Sequence, residues 1–484
     1  MIKKLILLSF IEGAVVMASE LCGAKLLAPI FGSSLYVWAS VMGITLAALA
    51  LGYFFGGVVS ERSKQHSKRL FHVLIFAALF VMLMPVISRY VIPWISYLPF
   101  LLAVVLSTFI LLFPPVFFLG ATSPLFIFIQ TKESSAAGRV SGTVYAVSTL
   151  GGIIATFLCG FYLIPAIGLT WCLLGFGALL FIANCVIFKS YKAIHLLLFA
   201  AFVYLNLQFS FIKSQQLFYG NSILGQLEVQ DLLNNNKETI RILKINNIVQ
   251  TEMNVKTKRS VSEYVKLLDT LINYSYKQKA ALVLGLGGGL TANLLVDKNY
   301  VTDGVEFDKG IIDAAQNFFD LNKTVKPVCE DARYYLNGSN KKYDLILVDI
   351  FKAEEQPSHV ITIESLESLK KNLTDSALLI INWHGYIKGE KGMGTSILNN
   401  TLQQTGYKVK VCSVSDDENY RNLLFVCSLQ DLKKQPYEIN ESFARTKLVN
   451  TDDKPLFEKY NALANKTWRS NYLHYYQSEP TRKN

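Results

Sequence analysis

Apolar residues in the first part of the chain run almost without interruption through seven segments separated by polar stretches. Each segment has about the 20 residues that an α-helix needs to cross the roughly 30 Å apolar core of a bilayer. The pattern predicts a transmembrane helical bundle over residues 1–212, with segments near 5–28, 36–59, 70–93, 98–119, 142–164, 169–188 and 193–211.

After residue 212 the apolar runs become short and alternate with polar positions. Two β-like runs, 222–231 and 239–253, predict a small β lobe over residues 213–255. From 256 to 430, strand-like runs alternate with helical segments, and two last strands have no helix between them. This order predicts a Rossmann-like, doubly wound α/β sheet with an antiparallel edge. Its strands and helices are expected at 279–285 with 288–297, 301–306 with 309–319, 325–329 with 331–337, 343–349 with 361–372, 376–382 with 393–404, and as two last strands at 407–412 and 422–427.

The distribution of charge divides the chain at the same place. Residues 1–212 hold 12 Lys or Arg and 4 Asp or Glu, whereas residues 213–484 hold 35 and 32. The first region is too apolar for a water-soluble domain, and the second has the charge density of a globular protein. Since +8 of the net charge of +11 lies in the first region, the basic balance indicates loops facing an anionic leaflet and does not indicate nucleic-acid binding.

The basic residues of the first region predict an integral, multi-pass protein of the inner or cell membrane. They cluster in loops at 61–69, at Lys132 and Arg139, and at Lys189 and Lys192, which favours a cytoplasmic N-terminus. Seven crossings would place the second region outside, whereas a cofactor made in the cytoplasm would require it inside. Either the last segment does not cross, or an eighth crossing lies within 98–130, so the cytoplasmic placement that we expect stays open.

The cysteines of the whole chain and two acidic residues of the apolar region are candidates for special chemistry. The seven cysteines lack Cys-x-x-Cys or Cys/His spacing, so we expect buried thiols and neither a disulfide framework nor a metal site. Glu12 and Glu20 lie inside the first segment, where a charge costs about 2.5 kcal/mol or more. Either they serve transport or proton coupling, or Lys25 or a polar group of a neighbouring helix neutralises them.

Polar residues follow four strands of the predicted sheet where each strand ends. The first strand ends in the glycine loop 285–289, whose backbone can approach a ligand. The second ends at Glu306, about 20 residues on, where an acid can accept both hydroxyls of an adenosine ribose. Asp331 and Asp349 follow the third and fourth strands. Because the carboxyl ends of parallel strands share one edge, the pattern predicts an adenosine site there.

Each of these residues also has a purely structural interpretation. Gly288 and Gly289 can serve turn geometry alone, Asp331 can cap the helix after it, and Glu306 can be a solvated strand end. The glycines alone also fit an NAD site, but the turn at 331–333 is not explained by NAD binding.

Residues 219–430 resemble the spermidine synthase (polyamine aminopropyltransferase) branch of the class I S-adenosylmethionine-dependent transferases. Residues 1–210 are similar to the membrane half of proteins in which a major-facilitator-like domain is fused to such a transferase. The first resemblance rests on residues 249–250, 285–290, 305–308, 331–333 and 344–351, and the second on 27–34, 119–124 and 142–151.

The resemblance implies a cofactor, S-adenosylmethionine or its decarboxylated form, and no metal. From its place at a strand end, we expect Asp349 to orient or deprotonate the attacking amine. Tyr264 stands where the family places a polyamine-binding element. The resemblance implies a cofactor bound by Gly285, Gly287, Glu306, Asp331 and Ala332, with Gln250 nearby. Gly288 and Gly289 of the same loop are further candidate cofactor-binding residues.

The chain departs from the family pattern at three places where carboxylates belong. Gly288 replaces the acid of a Gly-Gly-Gly-Asp-Gly loop, Lys266 replaces the acid of Tyr-His-Glu, and Lys352 replaces the second acid of Asp-Ser-x-Asp. A like charge about 4 Å from a bound ammonium would cost roughly 4 kcal/mol at an effective dielectric constant near 20. Glu354 and Glu355 either supply the missing acid or are solvated loop residues.

His384, after the fifth strand of the predicted sheet, is a second candidate base beside the substrate, because histidine titrates near neutral pH. A structural role for this histidine is the alternative.

The sequence therefore favours a membrane-bound, spermidine synthase-like transferase that moves an aminopropyl or methyl group to a small amine or polyamine. Its candidate catalytic acids are Asp349, Glu354 and Glu355. The alternative is a transporter or sensor whose transferase-like domain keeps a nucleoside pocket and has lost catalysis. The bilayer is the other expected partner, whereas the acceptor and homo-oligomer formation stay open, and the tail at 431–484 predicts no chemistry.

Overall fold

The structure of the chain is a computed structural model that describes residues 2–31, 35–62, 65–131, 133–189, 193–207, 216–234, 236–273, 279–351, 358–439 and 441–478. The chain divides into two compact units, Met1–Lys213 and Ser214–Asn484.

The described part of the N-terminal unit is helical. Five of its stretches are long and apolar enough to cross a membrane: Lys3–Phe31, Tyr36–Glu61, His66–Tyr90, Leu101–Gln130 and Ala137–Phe188. The helices are α1 (Ile2–Phe31), α2 (Leu35–Arg62), α3 (His66–Tyr90), α4 (Ile92–Ile95), α5 (Phe100–Gln130), α6 (Ala137–Leu158), α7 (Ile164–Phe188) and α8 (Ala193–Leu207), with a π-helical stretch Cys159–Leu163 between α6 and α7.

These stretches differ from the seven predicted segments at two places. The segments 142–164 and 169–188 lie in the single stretch Ala137–Phe188, which is kinked at Gly168 (φ 81°, ψ 168°). Its 52 residues extend over about 80 Å as helix, which is long enough for two crossings of a core of about 30 Å. The last predicted segment contains α8, of which the structure describes 15 residues, and among the described residues it is not one of the stretches long and apolar enough to cross a membrane.

Glycines allow α1 and α6 to pack backbone against backbone. A Cβ at Gly13 would overlap the carbonyl oxygen of Ser148, and a Cβ at Gly151 would overlap that of Phe10. At this contact the Ser148 hydroxyl donates to Oε2 of the buried Glu12 at 3.0 Å. The polar partner of Glu12 thus belongs to a neighbouring helix, as the packing interpretation of this acid requires.

The C-terminal unit begins with a small antiparallel sheet in the order β1–β2–β3–β4. The run 239–253, predicted as one β-like segment, is a hairpin, because Asn246 and Asn247 turn the chain with φ of 50° and 66°. Asparagine tolerates this left-handed region, so the Asn-Asn pair is the turn signal in the sequence. The strands are β1 (Gln216–Asn221), β2 (Gln226–Leu233), β3 (Thr239–Ile245) and β4 (Ile248–Asn254).

A seven-stranded sheet in the order β10–β11–β9–β8–β5–β6–β7 forms the centre of this unit. Strand β11 runs antiparallel to β9 and β10, and the other neighbours are parallel, which confirms the predicted antiparallel edge. The elements are α9 (Glu263–Leu271), β5 (Lys279–Leu284), α10 (Leu290–Asp297), β6 (Tyr300–Glu306), α11 (Lys309–Phe318), β7 (Lys326–Cys329), α12 (Ala332–Gly338), β8 (Tyr343–Val348), α13 (Ile363–Leu369), β9 (Leu373–His384), α14 (Met393–Gln404), β10 (Lys408–Cys412) and β11 (Asn422–Ser428).

The strand order places a topological switch point between β5 and β8. From β5 the chain builds outward through β6 and β7, and it then returns to the other side of β5 with β8. Sheets of this kind bind ligands in the crevice beyond the carboxyl ends of the strands at such a point. The glycine loop and Asp349, which follow β5 and β8, therefore lie where a ligand site is expected.

The C-terminal tail crosses the unit as an extended segment before α15 (Phe457–Tyr460) and α16 (Ala462–Ser478). Asn450, in this segment, is fully buried. Its Nδ2 donates to the carbonyl oxygens of Ser358 and Ile361 at 3.0 and 2.8 Å, and its Oδ1 accepts from the Leu456 backbone at 2.8 Å. The tail therefore holds the loop that follows residue 357.

Replacing Asn450 by Ala should lower the free energy of unfolding by about 3 kcal/mol, because each buried group left unpaired costs roughly 1–3 kcal/mol. Urea unfolding monitored by the fluorescence of the buried Trp383 would measure the change. Asn236→Ala, at an exposed turn position, is the matched control and should change stability by less than about 0.5 kcal/mol. Equal effects of the two substitutions would show that the tail does not support the loop.

Candidate active site

A cavity of about 290 Å³ opens beyond the carboxyl ends of β5, β6 and β8 in the C-terminal unit. The residues predicted from the strand ends meet there, together with residues from the small sheet and α9. Of the predicted site residues, those that line the cavity are Gln250, Tyr264, Gly285, Gly287, Glu306, Asp331, Ala332 and Asp349.

The glycine loop brings backbone against the ligand space. Gly285 has φ 87°, and a Cβ there would overlap the carbonyl oxygen of Asp349, so a side chain at 285 would collide with backbone. Gly287, with φ 52°, also lines the cavity. The absence of a side chain at Gly285 thus allows the loop to approach the backbone of Asp349 closely.

Gly288 and Gly289 do not line the cavity. The Gly288 N–H donates to Thr251 Oγ1 at 2.8 Å, and a Cβ at 288 would lie 2.6 Å from Thr251 Cγ2 and 3.0 Å from Phe319. Gly289 precedes α10 with φ 78°. Both glycines therefore serve packing and turn geometry. An acid at 288, as in the authentic synthases, would not fit without movement of Thr251.

Glu306 ends β6 with its carboxylate held toward the glycine loop. Its oxygens accept hydrogen bonds from the backbone N–H of Leu286 at 3.0 Å and of Asp308 at 3.1 Å. Burial raises the pKa of Glu306, and the backbone donors oppose that rise. A carboxylate fixed in this way is placed to accept hydrogen bonds from a ligand's hydroxyls.

Asp331 both caps α12 and faces the cavity. Its Oδ1 accepts from the backbone N–H of Arg333 and Tyr334 at 3.0 Å each, while its Oδ2 lies 3.0 Å from His359 Nε2. Burial alone would raise the pKa of Asp331, but the His359 ring and the two N–H donors bring it below its ordinary value. Asp331 therefore has both roles: Oδ1 caps α12, and Oδ2 contacts His359 at the cavity.

Asp349 lies in a buried polar network at the end of β8. Tyr264 donates to its Oδ2 at 3.0 Å, Asn382 Nδ2 donates to its Oδ1 at 2.8 Å, and Asn422 in turn donates to Asn382 Oδ1 at 2.9 Å. Burial raises the pKa of Asp349, and the bonds from Asn382 and Tyr264 partly offset it. A raised pKa brings a carboxylate closer to the range in which it can accept and release a proton.

The charge of the cavity is acidic. Among the described lining residues, four are carboxylates (Glu306, Glu330, Asp331 and Asp349), and none is Lys or Arg. Lys266 does not add a positive charge to this lining. The repulsion between Lys266 and a bound ammonium that the sequence predicted is therefore not expected. Its side chain is 57% exposed and pairs with Glu263 at 2.7 Å, while its neighbours Tyr264 and Val265 line the cavity. The described surface therefore suits a positively charged ligand.

The structure places one further candidate, His384, outside the cavity lining. His384 is buried beside Phe351 and Trp468, with ring centroids 5.5 and 4.9 Å apart, and it does not line the cavity. This placement fits the structural alternative for the histidine. Glu354 and Glu355 lie outside the described residues, as does Lys352.

The structure also shows site residues that the sequence reasoning missed. Thr251 fixes the glycine loop, His359 contacts Asp331, and Asn382 contacts Asp349. Thr251 directly follows the motif at residues 249–250, and Asn382 ends a predicted strand next to Trp383. His359 had no signal in the sequence, because only the fold brings it to Asp331.

Comparison with known proteins finds relatives that match part of the chain. No family model matches. The chain is 35% identical over 112 residues to the N-terminal histidine N-methyltransferase of Emericella nidulans, covering 22% of this chain and 20% of that protein. It is 26% identical over 197 residues to the probable polyamine aminopropyl transferase of Bifidobacterium longum, covering 40% and 43%. It is 30% identical over 132 residues to the polyamine aminopropyltransferase of Vibrio vulnificus, covering 26% and 44%.

The chain thus spans less than half the length of these three relatives. Among solved structures, it resembles a probable spermidine synthase from Corynebacterium glutamicum, with a TM-score of 0.39 and 15% identity over 46% of this chain and 82% of that one. Human methyltransferase-like protein 13 gives a TM-score of 0.30 and 22% identity over 43% and 92%. The sequence relatives are all named as transferases, and part of this chain is spermidine synthase-like in sequence, with the motif residues gathered at one cavity.

Proposed function

We propose that the C-terminal unit binds S-adenosylmethionine or its decarboxylated form and transfers an aminopropyl or methyl group to an amine. The observation that carries the proposal is the shared cavity of Glu306, Asp331 and Asp349, each at the end of a different strand. Glu306 and Asp331 are placed to accept hydrogen bonds from an adenosine. The third is the buried, hydrogen-bonded Asp349, which suits an amine.

The residues of the cavity fit such a cofactor by their chemistry. In the proposal Glu306 accepts the ribose hydroxyls, Asp331 and Ala332 contact the adenine edge, and the glycine loop lies against the nucleoside. When bound, the cofactor supplies a carbon that a positively charged sulfur activates toward displacement. The acidic described lining would favour binding of a positively charged cofactor.

Asp349 would hold the acceptor and take its proton. A protonated amine has no lone pair for attack, so a carboxylate must first accept a proton from it. Tyr264 and Asn382 keep the carboxylate of Asp349 in one orientation from both oxygens. Orientation of the reacting groups contributes to the rate because the geometry is fixed before the reaction.

Two group-transfer reactions follow from this arrangement. The relatives named as polyamine aminopropyltransferases support aminopropyl transfer. Methyl transfer is the second candidate, because the position of the acid that anchors the aminopropyl ammonium in authentic synthases is here Gly288, which packs against Thr251.

Calorimetric titration of the full-length protein in detergent tests the proposal. S-adenosylmethionine, its decarboxylated form and methylthioadenosine would be titrated in turn, followed by a product assay with putrescine and with a monoamine. Nucleoside binding and product formation are expected. Nucleoside binding without product would support the sensor or transporter alternative, and the absence of nucleoside binding would refute the proposal.

Glu306→Gln should weaken methylthioadenosine binding by about 10- to 100-fold, because hydrogen bonds to a charged group contribute about 1.5–3 kcal/mol. Calorimetry would measure the dissociation constant. The control is Asp313→Asn, an exposed acid of α11, which should change affinity by less than about twofold. An unchanged affinity in Glu306→Gln would remove this residue from the site.

We further propose that the N-terminal unit is a multi-pass membrane domain with the transferase domain in the cytoplasm. Six crossings are supported by the five long stretches, if Ala137–Phe188 crosses twice. With a cytoplasmic N-terminus, an even number returns the chain to that side. Resistance to carbonate extraction and the protease sensitivity of residues 431–484 in sealed vesicles of known orientation would test both statements. Cleavage from the outer side alone would refute the cytoplasmic placement.

A further inference from the structure

His359 lies at the cavity wall, half-exposed, with its ring against a carboxylate that a nucleoside would use. Its Nε2 lies 3.0 Å from Asp331 Oδ2, and 53% of its side chain is exposed. Asp331 Oδ1 is occupied by the two backbone donors at the start of α12. Oδ2 is therefore the oxygen of Asp331 that remains for a ligand, and His359 already contacts it.

The loop of His359 is held in place by residues far apart in sequence. The His359 carbonyl oxygen accepts from Arg333 Nη1 at 3.0 Å. Arg333 binds both carboxylate oxygens of Asp452 at 2.6 Å, and the Asp452 N–H donates to Glu364 at 3.0 Å. The neighbouring Ser358 is bonded to the buried Asn450. A half-exposed histidine is thus kept at one place on the cavity wall.

A carboxylate oxygen with one N–H donor still has a lone pair for a second donor. A purine with a 6-amino group offers such a donor, whereas a 6-oxo purine offers an acceptor, which an ionised carboxylate repels. A protonated carboxyl would lose this distinction because it can itself donate. The base that the cavity selects therefore depends on whether Asp331 stays ionised and fixed.

We propose that His359 is a positioning and specificity-determining residue that holds Asp331 as a fixed hydrogen-bond acceptor, so that the site selects 6-amino purines over 6-oxo purines. The inference rests on the proposed nucleoside binding of this cavity. It is supported by the effect of His359 on Asp331, since the contact lowers the pKa of that carboxyl against the effect of burial. Arg333, Asp452 and Glu364 are the other charged groups of this cluster.

Calorimetry of the full-length protein with 5′-methylthioadenosine and 5′-methylthioinosine tests the inference. The unsubstituted protein should bind the adenosine at least about 50-fold more tightly. His359→Ala should weaken adenosine binding about fivefold and reduce the preference about tenfold, whereas His359→Gln, which retains an N–H donor, should recover most of both. Acidification should remove the preference for the adenosine in both proteins. In His359→Ala this loss should occur at a higher pH than in the unsubstituted protein, because Asp331 protonates more readily without the His359 contact.

Two results would overturn the inference while leaving the proposed function intact: a preference that His359→Ala does not change, or equal binding of both nucleosides by the unsubstituted protein. Failure of both nucleosides to bind that protein would refute the proposed function and the inference with it. Because His359 is half-exposed, the thermal midpoint of His359→Ala should be unchanged, which separates a role in recognition from one in folding.

Discussion

Asp349→Asn should reduce the turnover number about 10³-fold and leave methylthioadenosine affinity within about threefold. The amide keeps the size of the carboxylate but cannot take a proton from the amine, and general-base catalysis contributes roughly 10²- to 10⁴-fold. A product assay under saturating substrates, with calorimetry of the nucleoside, would measure the two effects. Turnover that persists in Asp349→Asn would eliminate this residue as the base.

The matched control is Asp344→Asn, which changes a carboxylate of the same strand away from the cavity. Asp344 accepts from the Ala280 backbone at 2.9 Å and from Thr374 at 3.1 Å, so its role is structural. We expect Asp344→Asn to lower stability while changing the turnover number by less than about threefold. A loss of turnover equal to that of Asp349→Asn would indicate that damage to β8, and not the loss of a base, causes both effects.

The pH dependence gives a second readout of Asp349. Burial raises its pKa above the ordinary 3.8, and the base form is the ionised one, so activity should rise as pH rises through the raised value. Stability should change in the opposite direction. Between the unfolded and the folded pKa the folded state binds more protons, so the free energy of unfolding falls as pH rises. Asp349→Asn should lack that fall, because the amide does not titrate.

Gly285→Ala should destabilise the C-terminal unit by more than about 3 kcal/mol and abolish nucleoside binding. Two separate costs add at this position. A non-glycine residue in the left-handed region costs roughly 1–2 kcal/mol, and Gly285 has φ 87°. The new Cβ would also overlap the carbonyl oxygen of Asp349, which is backbone and cannot rotate away. Urea unfolding and calorimetry would measure the two consequences.

Another glycine of the same domain separates these costs. Gly406 has φ 83°, but a Cβ there would meet no atom within 4 Å. Gly406→Ala should therefore cost only the conformational term of roughly 1–2 kcal/mol and leave nucleoside affinity unchanged. If Gly285→Ala costs no more than Gly406→Ala, the close approach of the glycine loop to Asp349 does not exist in the protein.

The acids at the strand ends were predictable from sequence. A residue that directly follows a buried strand of a parallel sheet lies at the carboxyl edge of that sheet. Glu306, Asp331 and Asp349 each follow a buried apolar run, and parallel strands bring such positions to one edge. The antiparallel pair β10–β11 was predictable because no helical segment separates the two runs. The Asn246–Asn247 turn was missed, since the apolar pattern continues on both sides of it.

Side-chain direction within the site was not predictable in the same way. Lys266 lies two residues from Tyr264 in sequence, yet the helix turns it to solvent and Tyr264 to the cavity. Gly288 belongs to the glycine loop but packs against Thr251 of the small sheet. Alignment with a family motif assigns a position along the chain, whereas the rotation of an α-helix or a loop decides which neighbours reach the ligand.

The sequence by itself determined the division into an apolar region and an α/β domain, the order of the strands and helices in that domain, and the acids at the strand ends. These properties depend on local periodicity and on the composition of each segment. Only the tertiary structure decided the contacts of Asp331 with His359, of Asp349 with Asn382, and of the loop after 357 with Asn450. These contacts join residues that are 28 to 92 positions apart in the sequence. A local pattern of hydrophobic and polar residues does not predict them, because the two segments of each contact meet only when the chain folds.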